Sequence, residues 1–243
     1  MHPGQYLFPI YESLNVHFGD LHWWPGESPF EVIVGAILTQ NTAWRNVEIA
    51  MKKLKAKGLL HPERLLTAKD DVLTELIRPS GYYRIKTRRL KSFVQYLRDE
   101  YDGSLDRMFA EDLWHLREKL LRVKGIGGET ADSILLYAGE KPIFVVDAYT
   151  RRILQRHGII CKDAGYGEIQ QLFMTHLPHN VPLYKQYHAL LVNTGKTFCT
   201  KTPRCEGCPL HKFNYTNRET EKPKCFTRNT FPVKPHIQRR LLL

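Results

Sequence analysis

Apolar residues recur along this chain at the spacing of helices, not strands. Phe30, Ile33, Val34, Ile37 and Leu38 fall on one face of a period of about 3.6 residues. Later stretches repeat the pattern: Trp44, Val47, Met51 and Leu54; then Leu90, Phe93, Val94 and Leu97; then Leu113, Leu116 and Leu120; then Ala131, Ile134, Leu135 and Ala138. Boundary signals agree with the periods. Ser28-Pro29-Phe30-Glu31 reads as a capping box with proline at the first helical position, and Gly58 stops the helix that starts near Trp44. Ile143-Phe144-Val145-Val146 is strand-like by content, but its setting predicts an extended entry into the next helix. No alternating pattern and no repeat of fixed period is present, so the expected fold class is all-α.

Between two of these helices lies Leu121-Arg122-Val123-Lys124-Gly125-Ile126-Gly127-Gly128-Glu129-Thr130-Ala131. It reads as helix, tight glycine turn, helix. Glycines at 125, 127 and 128 let backbone approach an anion, and the following helix offers unpaired N–H groups and a positive dipole end. That arrangement holds a DNA phosphate without reading sequence. The candidate DNA contacts in this segment are Lys124, Gly125, Ile126, Gly127, Gly128 and Thr130.

Composition sharpens this picture. With 243 residues and 42% hydrophobic content, the chain can bury a core as one large domain or two lobes. A formal net charge of +11 suits a polyanionic partner, though a basic soluble protein needs no such partner. No apolar run is long enough to span a bilayer, and Met1-His2-Pro3-Gly4-Gln5 lacks the features of a signal peptide, which predicts an intracellular protein without membrane contact. From His211 onward periodicity ends. Eight Lys/Arg against Glu219 and Glu221 leave this segment at +6, which reads as a solvated, partly disordered tail over 211–243, with a DNA-touching extension as the other reading.

Three groups of residues carry candidate chemistry. Asp147 ends an apolar run and precedes a helix, so its plainest role is an N-cap, where an anion is stabilised. Trp23, Trp24 and Trp44 gather around the first long helices. Tryptophan commonly fills cores, yet Trp23-Trp24-Pro25 sits in a polar, Gly/Pro-broken segment. An indole cage suits a cationic, electron-poor base, which stacks by cation–π attraction. Cys199, Cys205 and Cys208 follow a C-x5-C-x2-C spacing, and sixteen residues then intervene before Cys225. Inside a cell such a knot reads as a metal site, while Cys161 reads as a small buried residue.

Taken together, these segments resemble the helix-hairpin-helix of the endonuclease III superfamily of DNA glycosylases, over roughly Trp23 to Cys208. Trp23-Trp24-Pro25, Leu38-Thr39-Gln40-Asn41-Thr42, Arg78-Pro79-Ser80-Gly81-Tyr82-Tyr83 and Lys124-Gly125-Ile126-Gly127 look like its 3-methyladenine DNA glycosylase branch. The resemblance implies a two-lobed fold. A six-helix lobe at about 28–135 ends in the hairpin (about 111–138), and residues 1–27 with 136–210 form a second lobe that carries the cysteines, with the active cleft between the lobes. It implies that Asp147 is catalytic, that Trp23, Trp24 and Trp44 line the base pocket, and that Gln40, with Asn41 beside it, contacts DNA, Gln40 entering the gap left by a flipped nucleotide. Bifunctional members place a Schiff-base lysine where this chain has Glu129, which cannot form an imine. The resemblance also implies a [4Fe–4S] cluster on Cys199, Cys205, Cys208 and Cys225, with zinc as the alternative. The family spacing is C-x6-C-x2-C-x5-C, from which this chain departs in the first and last gaps.

The function expected is therefore a monofunctional DNA glycosylase of base excision repair. It would act as a monomer on double-stranded DNA containing a damaged base, preferably an alkylated purine. The alternatives are an endonuclease III-like glycosylase on oxidised pyrimidines or mismatches, with or without lyase activity, and a non-catalytic helix-hairpin-helix DNA-binding protein.

Overall fold

The computed structural model describes residues 3–213, and Cys225 and most of the basic tail lie outside them. Twelve α-helices and no strand occur among the described residues: α1 Leu7–Phe18, α2 Pro29–Leu38, α3 Trp44–Ala56, α4 Pro62–Thr67, α5 Asp70–Leu76, α6 Tyr83–Tyr101, α7 Leu105–Phe109, α8 Leu113–Arg122, α9 Gly128–Ser133, α10 Ala148–Arg156, α11 Tyr166–His176 and α12 Val181–Thr197. The fold class is all-α, as expected. No helix among the described residues is long and apolar enough to cross a membrane.

The helices divide into two compact units. One holds Asp20–Val145 with Pro178–Ala189; the other holds the described residues up to Gly19, Val146–Leu177, and those from Leu190 onward.

In the first unit, α2 is the central element. Phe30 and every residue from Val32 to Leu38 are buried. A helix apolar on all sides needs neighbours on all sides. Here α3, α6, α9 and the turn after α9 supply them. Its start is only partly the expected capping box. The Ser28 hydroxyl accepts from the Glu31 N–H at 3.2 Å, but the Glu31 carboxylate accepts from the Glu27 N–H at 3.0 Å, one residue before the cap. The end of α3 follows the sequence signal. Gly58 has φ 63°, its N–H donates to the Lys55 carbonyl at 2.9 Å, and the Leu59 N–H reaches the Leu54 carbonyl at 3.0 Å.

Helices α8 and α9 form the hairpin. Asp112 caps α8 by accepting from the N–H groups of Trp114 (2.9 Å) and His115 (3.1 Å). The two helices are braced by a bidentate ion pair, Arg117 Nε to Asp132 Oδ1 at 2.7 Å and Nη2 to Oδ2 at 3.1 Å. Asp132 is fully buried. After Ser133 the helix widens into a π-helical turn over Ile134–Ala138.

Ile143–Val146 is extended but pairs with no strand among the described residues. All four residues are buried, which is the opposite of a half-buried strand's alternation. Phe144 packs edge-on against Tyr184 and Tyr187 of α12, at centroid distances of 5.5 and 5.9 Å.

In the second unit, α1 buries Leu7, Ile10 and Leu14. There α10 approaches α12 so closely at Gly195 that a Cβ would overlap the Tyr149 ring.

The hairpin brace gives a clean stability test. Arg117→Met should lower the unfolding free energy by about 3 kcal/mol, because it leaves the Asp132 carboxylate buried without this partner. Arg117→Met/Asp132→Leu should recover most of that loss. Denaturant melts of the two single variants and the double variant measure the coupling.

Candidate functional site

The hairpin turn is built as the glycine pattern requires. Gly125 has φ +91°, in the left-handed region that favours glycine. A Cβ there would overlap Arg89 Cγ, so the loop backbone rests on the stem of that arginine. Ile126 is buried and anchors the turn, while Lys124, Gly127 and Glu129 are on the solvent side. Gly127 is the N-cap of α9, with no side chain to bond the first N–H groups of the helix. Those groups are the natural anion site. Thr130 is buried beneath them, and Glu129 stands in the first helical turn.

Gln40 and Asn41 occupy the turn after α2. Asn41 is exposed with φ 54°. Gln40 is half-buried and faces the protein: its amide Nε2 donates to the Gly125 carbonyl at 3.1 Å and to Thr130 Oγ1 at 2.8 Å, and its Oε1 accepts from Arg89 Nη1. The side chain expected to enter a duplex is thus bonded to the hairpin.

The three predicted tryptophans come together. Trp24 meets Trp44 edge-on at 5.2 Å and 83°, and Trp23 lies 6.0 Å from Trp24 and 6.1 Å from Trp44. Gly35 of α2 makes room for them, since a Cβ there would stand 3.2 Å from Trp24 Nε1 and 3.5 Å from the Trp44 ring. A fourth ring, Tyr137, lies 5.1 Å from Trp24. It comes from the π-helical turn, and its hydroxyl is 2.6 Å from His188 Nδ1. A uniform 3.6-residue reading singles out Ala131, Ile134, Leu135 and Ala138 and passes over Tyr137.

Asp147 takes the N-cap position of α10, its Oδ1 accepting from the Thr150 N–H at 2.7 Å. The cap and a catalytic role are compatible, because capping favours the ionised form. Helix α10 is held in its unit by Arg152, which stacks on Tyr149 at 5.0 Å and donates to the Cys199 carbonyl at 2.7 Å and the Gly195 carbonyl at 3.1 Å.

The three described cysteines of the predicted metal set lie in the same unit. Cys199 is buried and its Sγ accepts from Arg156 Nη1 at 3.2 Å; Cys205 is exposed, and Cys208 is half-buried. Burial raises the Cys208 thiol pKa above its usual value, and the nearby charges of Cys205 and Cys199 add to the rise. Three soft donors within electrostatic reach of one another fit a thiolate-bound metal in chemical type. Among the described residues, however, no three His, Cys, Asp or Glu side chains are gathered as a set that could hold an ion. Cys225, the fourth predicted ligand, lies outside the described residues.

The model of the HhH-GPD superfamily of base excision DNA repair proteins matches residues 34–179, more than half of the chain. The chain belongs to this superfamily. A candidate DNA repair glycosylase of Methanocaldococcus jannaschii is 46% identical over 85% of this chain and 94% of its own. Among solved structures, the H. pylori 3-methyladenine DNA glycosylase bound to 1,N6-ethenoadenine is 28% identical, with a TM-score of 0.70 over 81% of this chain and 98% of that one. A trapped endonuclease III–DNA covalent intermediate is 25% identical, with a TM-score of 0.76 over 88% and 96% of the two chains. This base excision repair glycosylase therefore has likenesses in both the endonuclease III and the 3-methyladenine branches.

Gly127 is a clean probe of DNA binding. A Cβ at Gly127 would meet nothing within 4 Å, so there is room at the backbone for Gly127→Asp to add charge. It should weaken binding to all duplex sequences alike. The slope of log K against log salt should fall in size by about 0.9 for each phosphate no longer neutralised, as read by anisotropy titrations across a salt series.

Proposed function

We propose that this chain is a monofunctional DNA glycosylase that removes an alkylated purine, such as 3-methyladenine, from double-stranded DNA and leaves the strand intact. It acts as a monomer. The observation that carries this reading is the aromatic cluster of Trp23, Trp24, Trp44 and Tyr137. Indole and phenol faces attract a base that carries positive charge, by roughly 0.5–2 kcal/mol per contact. The H. pylori relative, a 3-methyladenine glycosylase, supports the same substrate class.

The chemistry asks little of the protein's acids. The hairpin holds the duplex backbone, and Gln40 enters the gap left by the flipped nucleotide. The base leaves the stack at a cost of a few kcal/mol, which is lower at a damaged pair. The C1′–N bond breaks, and its electron pair neutralises the departing cationic base. The Asp147 carboxylate stabilises the oxocarbenium-like sugar and directs water to C1′, accepting a proton as the new C–O bond forms. Glu129 stands where a Schiff-base lysine would be needed for lyase chemistry, and a carboxylate forms no imine.

Cys199, Cys205 and Cys208, with Cys225, are proposed to hold a [4Fe–4S] cluster, zinc being the alternative. Either group would cross-link the segment after α12 and take no part in a hydrolysis that moves no net electrons.

Asp147→Asn should abolish release of methylated base while leaving duplex affinity intact or improved. Product strands of the wild-type protein should break only after heat or alkali, and borohydride should trap no covalent complex. Near-normal turnover in the variant would remove Asp147 from its role. Efficient trapping of the wild type would favour the endonuclease III-like reading, with Lys124 as a nucleophile to test.

The purified protein should absorb in the visible thiolate-to-iron region, and Cys205→Ser should bleach it. Stoichiometric zinc without iron in metal analysis would move the site to the zinc reading, and neither metal would remove both.

A further inference from the structure

Two cations on one face of α6 have no role in the chemistry above. Lys86 is buried, at 1% exposure. Its Nζ donates to the Leu38 carbonyl at 2.7 Å and to the Ser80 carbonyl at 2.6 Å. Leu38 ends α2, directly before the turn that carries Gln40 and Asn41. Ser80 closes the short 3-10 turn Arg78–Ser80, directly before Gly81 and Tyr82. Tyr82 has φ 46° and is 67% exposed, so its ring stands out from the surface on a backbone held in the left-handed region. One ammonium thus joins the roots of two protruding turns.

Arg89, three residues later on the same face of α6, makes the third connection. Its stem supports Gly125 of the hairpin loop, and its guanidinium donates to Gln40 Oε1. Gln40 in turn donates from its amide to the hairpin, at Gly125 and Thr130. A continuous polar chain runs from the Tyr82 turn through Lys86 to the Gln40 turn, and from Gln40 to the hairpin.

We infer that Lys86 and Arg89 are positioning residues that lock the Tyr82 turn, the Gln40 turn and the hairpin loop into one preformed DNA-facing array. This rests on the reading of the hairpin and the Gln40 turn as the face that meets DNA, to which Lys86 ties the exposed Tyr82 turn.

The alternative, that Lys86 only fills core, fits the physics less well. Burial lowers its ammonium to a pKa of about 8, with the like charge of Arg89 adding to the fall. A methionine of similar volume would fill the same space without that desolvation cost. What it would not do is bridge two carbonyls on separate turns. The bridge is also insensitive to the proton, because a neutral amine keeps two N–H donors for its two acceptors.

The test uses the full chain, Lys86→Met and Arg89→Met, and a duplex with a tetrahydrofuran abasic analogue. Dissociation constants come from anisotropy across a salt series, and the active fraction from stoichiometric titration. Each variant should raise the dissociation constant on the order of tenfold, as expected when binding groups are misplaced. The salt slope and the active fraction should stay at wild-type values. The double variant should lose less than the two single losses added, since both act on one array. Wild-type affinity in both variants overturns the inference. So does a loss explained wholly by a smaller active fraction, which marks a folding role. A salt slope smaller by about one unit in Arg89→Met would also overturn it, by making Arg89 a direct phosphate ligand. If Lys86→Met does not fold, Arg89 decides the question alone. Failure of the wild-type protein to bind the duplex would count against the reading of the face instead.

Discussion

Burial of α2 on all sides is the constraint on which the Asp20–Val145 unit depends. A helix with no polar face needs a complete apolar shell, and that shell is assembled from α3, α6, α9 and the π-helical turn. Several of these neighbours bring a functional group with them. Helix α3 carries Trp44, α9 opens with the phosphate-ready N–H groups of the hairpin, and the π-helical turn carries Tyr137. At the C-terminal end of α2 the carbonyl of Leu38 is met by Lys86 of α6. Gly35 in its middle admits Trp24 to the surface of the helix. Packing of one apolar cylinder thereby sets the positions of the aromatic cluster, the hairpin and the Gln40 turn together.

The hairpin shows how backbone groups can bind without reading sequence. Its turn is held from below by buried Ile126, from one side by the Arg89 stem, and through Thr130 and Gly125 by Gln40. The outer surface of the turn is backbone N–H, Lys124 and the first turn of α9, which fits a partner recognised by its phosphates. On the function proposed above, an aromatic cluster would select on ring charge, and a weakened pair on the ease of extrusion.

Much of the fold is legible in the sequence because helical period, caps and glycine turns are local signals. The helices beginning at Pro29 and Trp44, the stop at Gly58 and the extended run Ile143–Val146 all follow from residues within a few positions of one another. Proximity along the chain suggests the grouping of Trp23, Trp24 and Trp44. It does not suggest Tyr137, because a five-residue π turn breaks the uniform period on which the reading of that helix rests. Lys86 and Arg89 read as ordinary surface cations of an amphipathic helix, since nothing local distinguishes a buried lysine from a solvated one.

By itself the sequence determined that the chain is helical, that a glycine turn joins two helices, that Asp147 caps a helix, and that a glutamate, which forms no imine, follows the turn. These follow from dihedral preferences and residue chemistry, which act over a few residues. Only the tertiary structure decided that Gln40 is bonded to the hairpin 85 residues away, that Tyr137 completes the aromatic cluster, and that one buried ammonium joins the Leu38 and Ser80 carbonyls. Such pairings depend on which helix faces pack together. That choice is made by burial of apolar area over the whole unit, and no short window of sequence contains it.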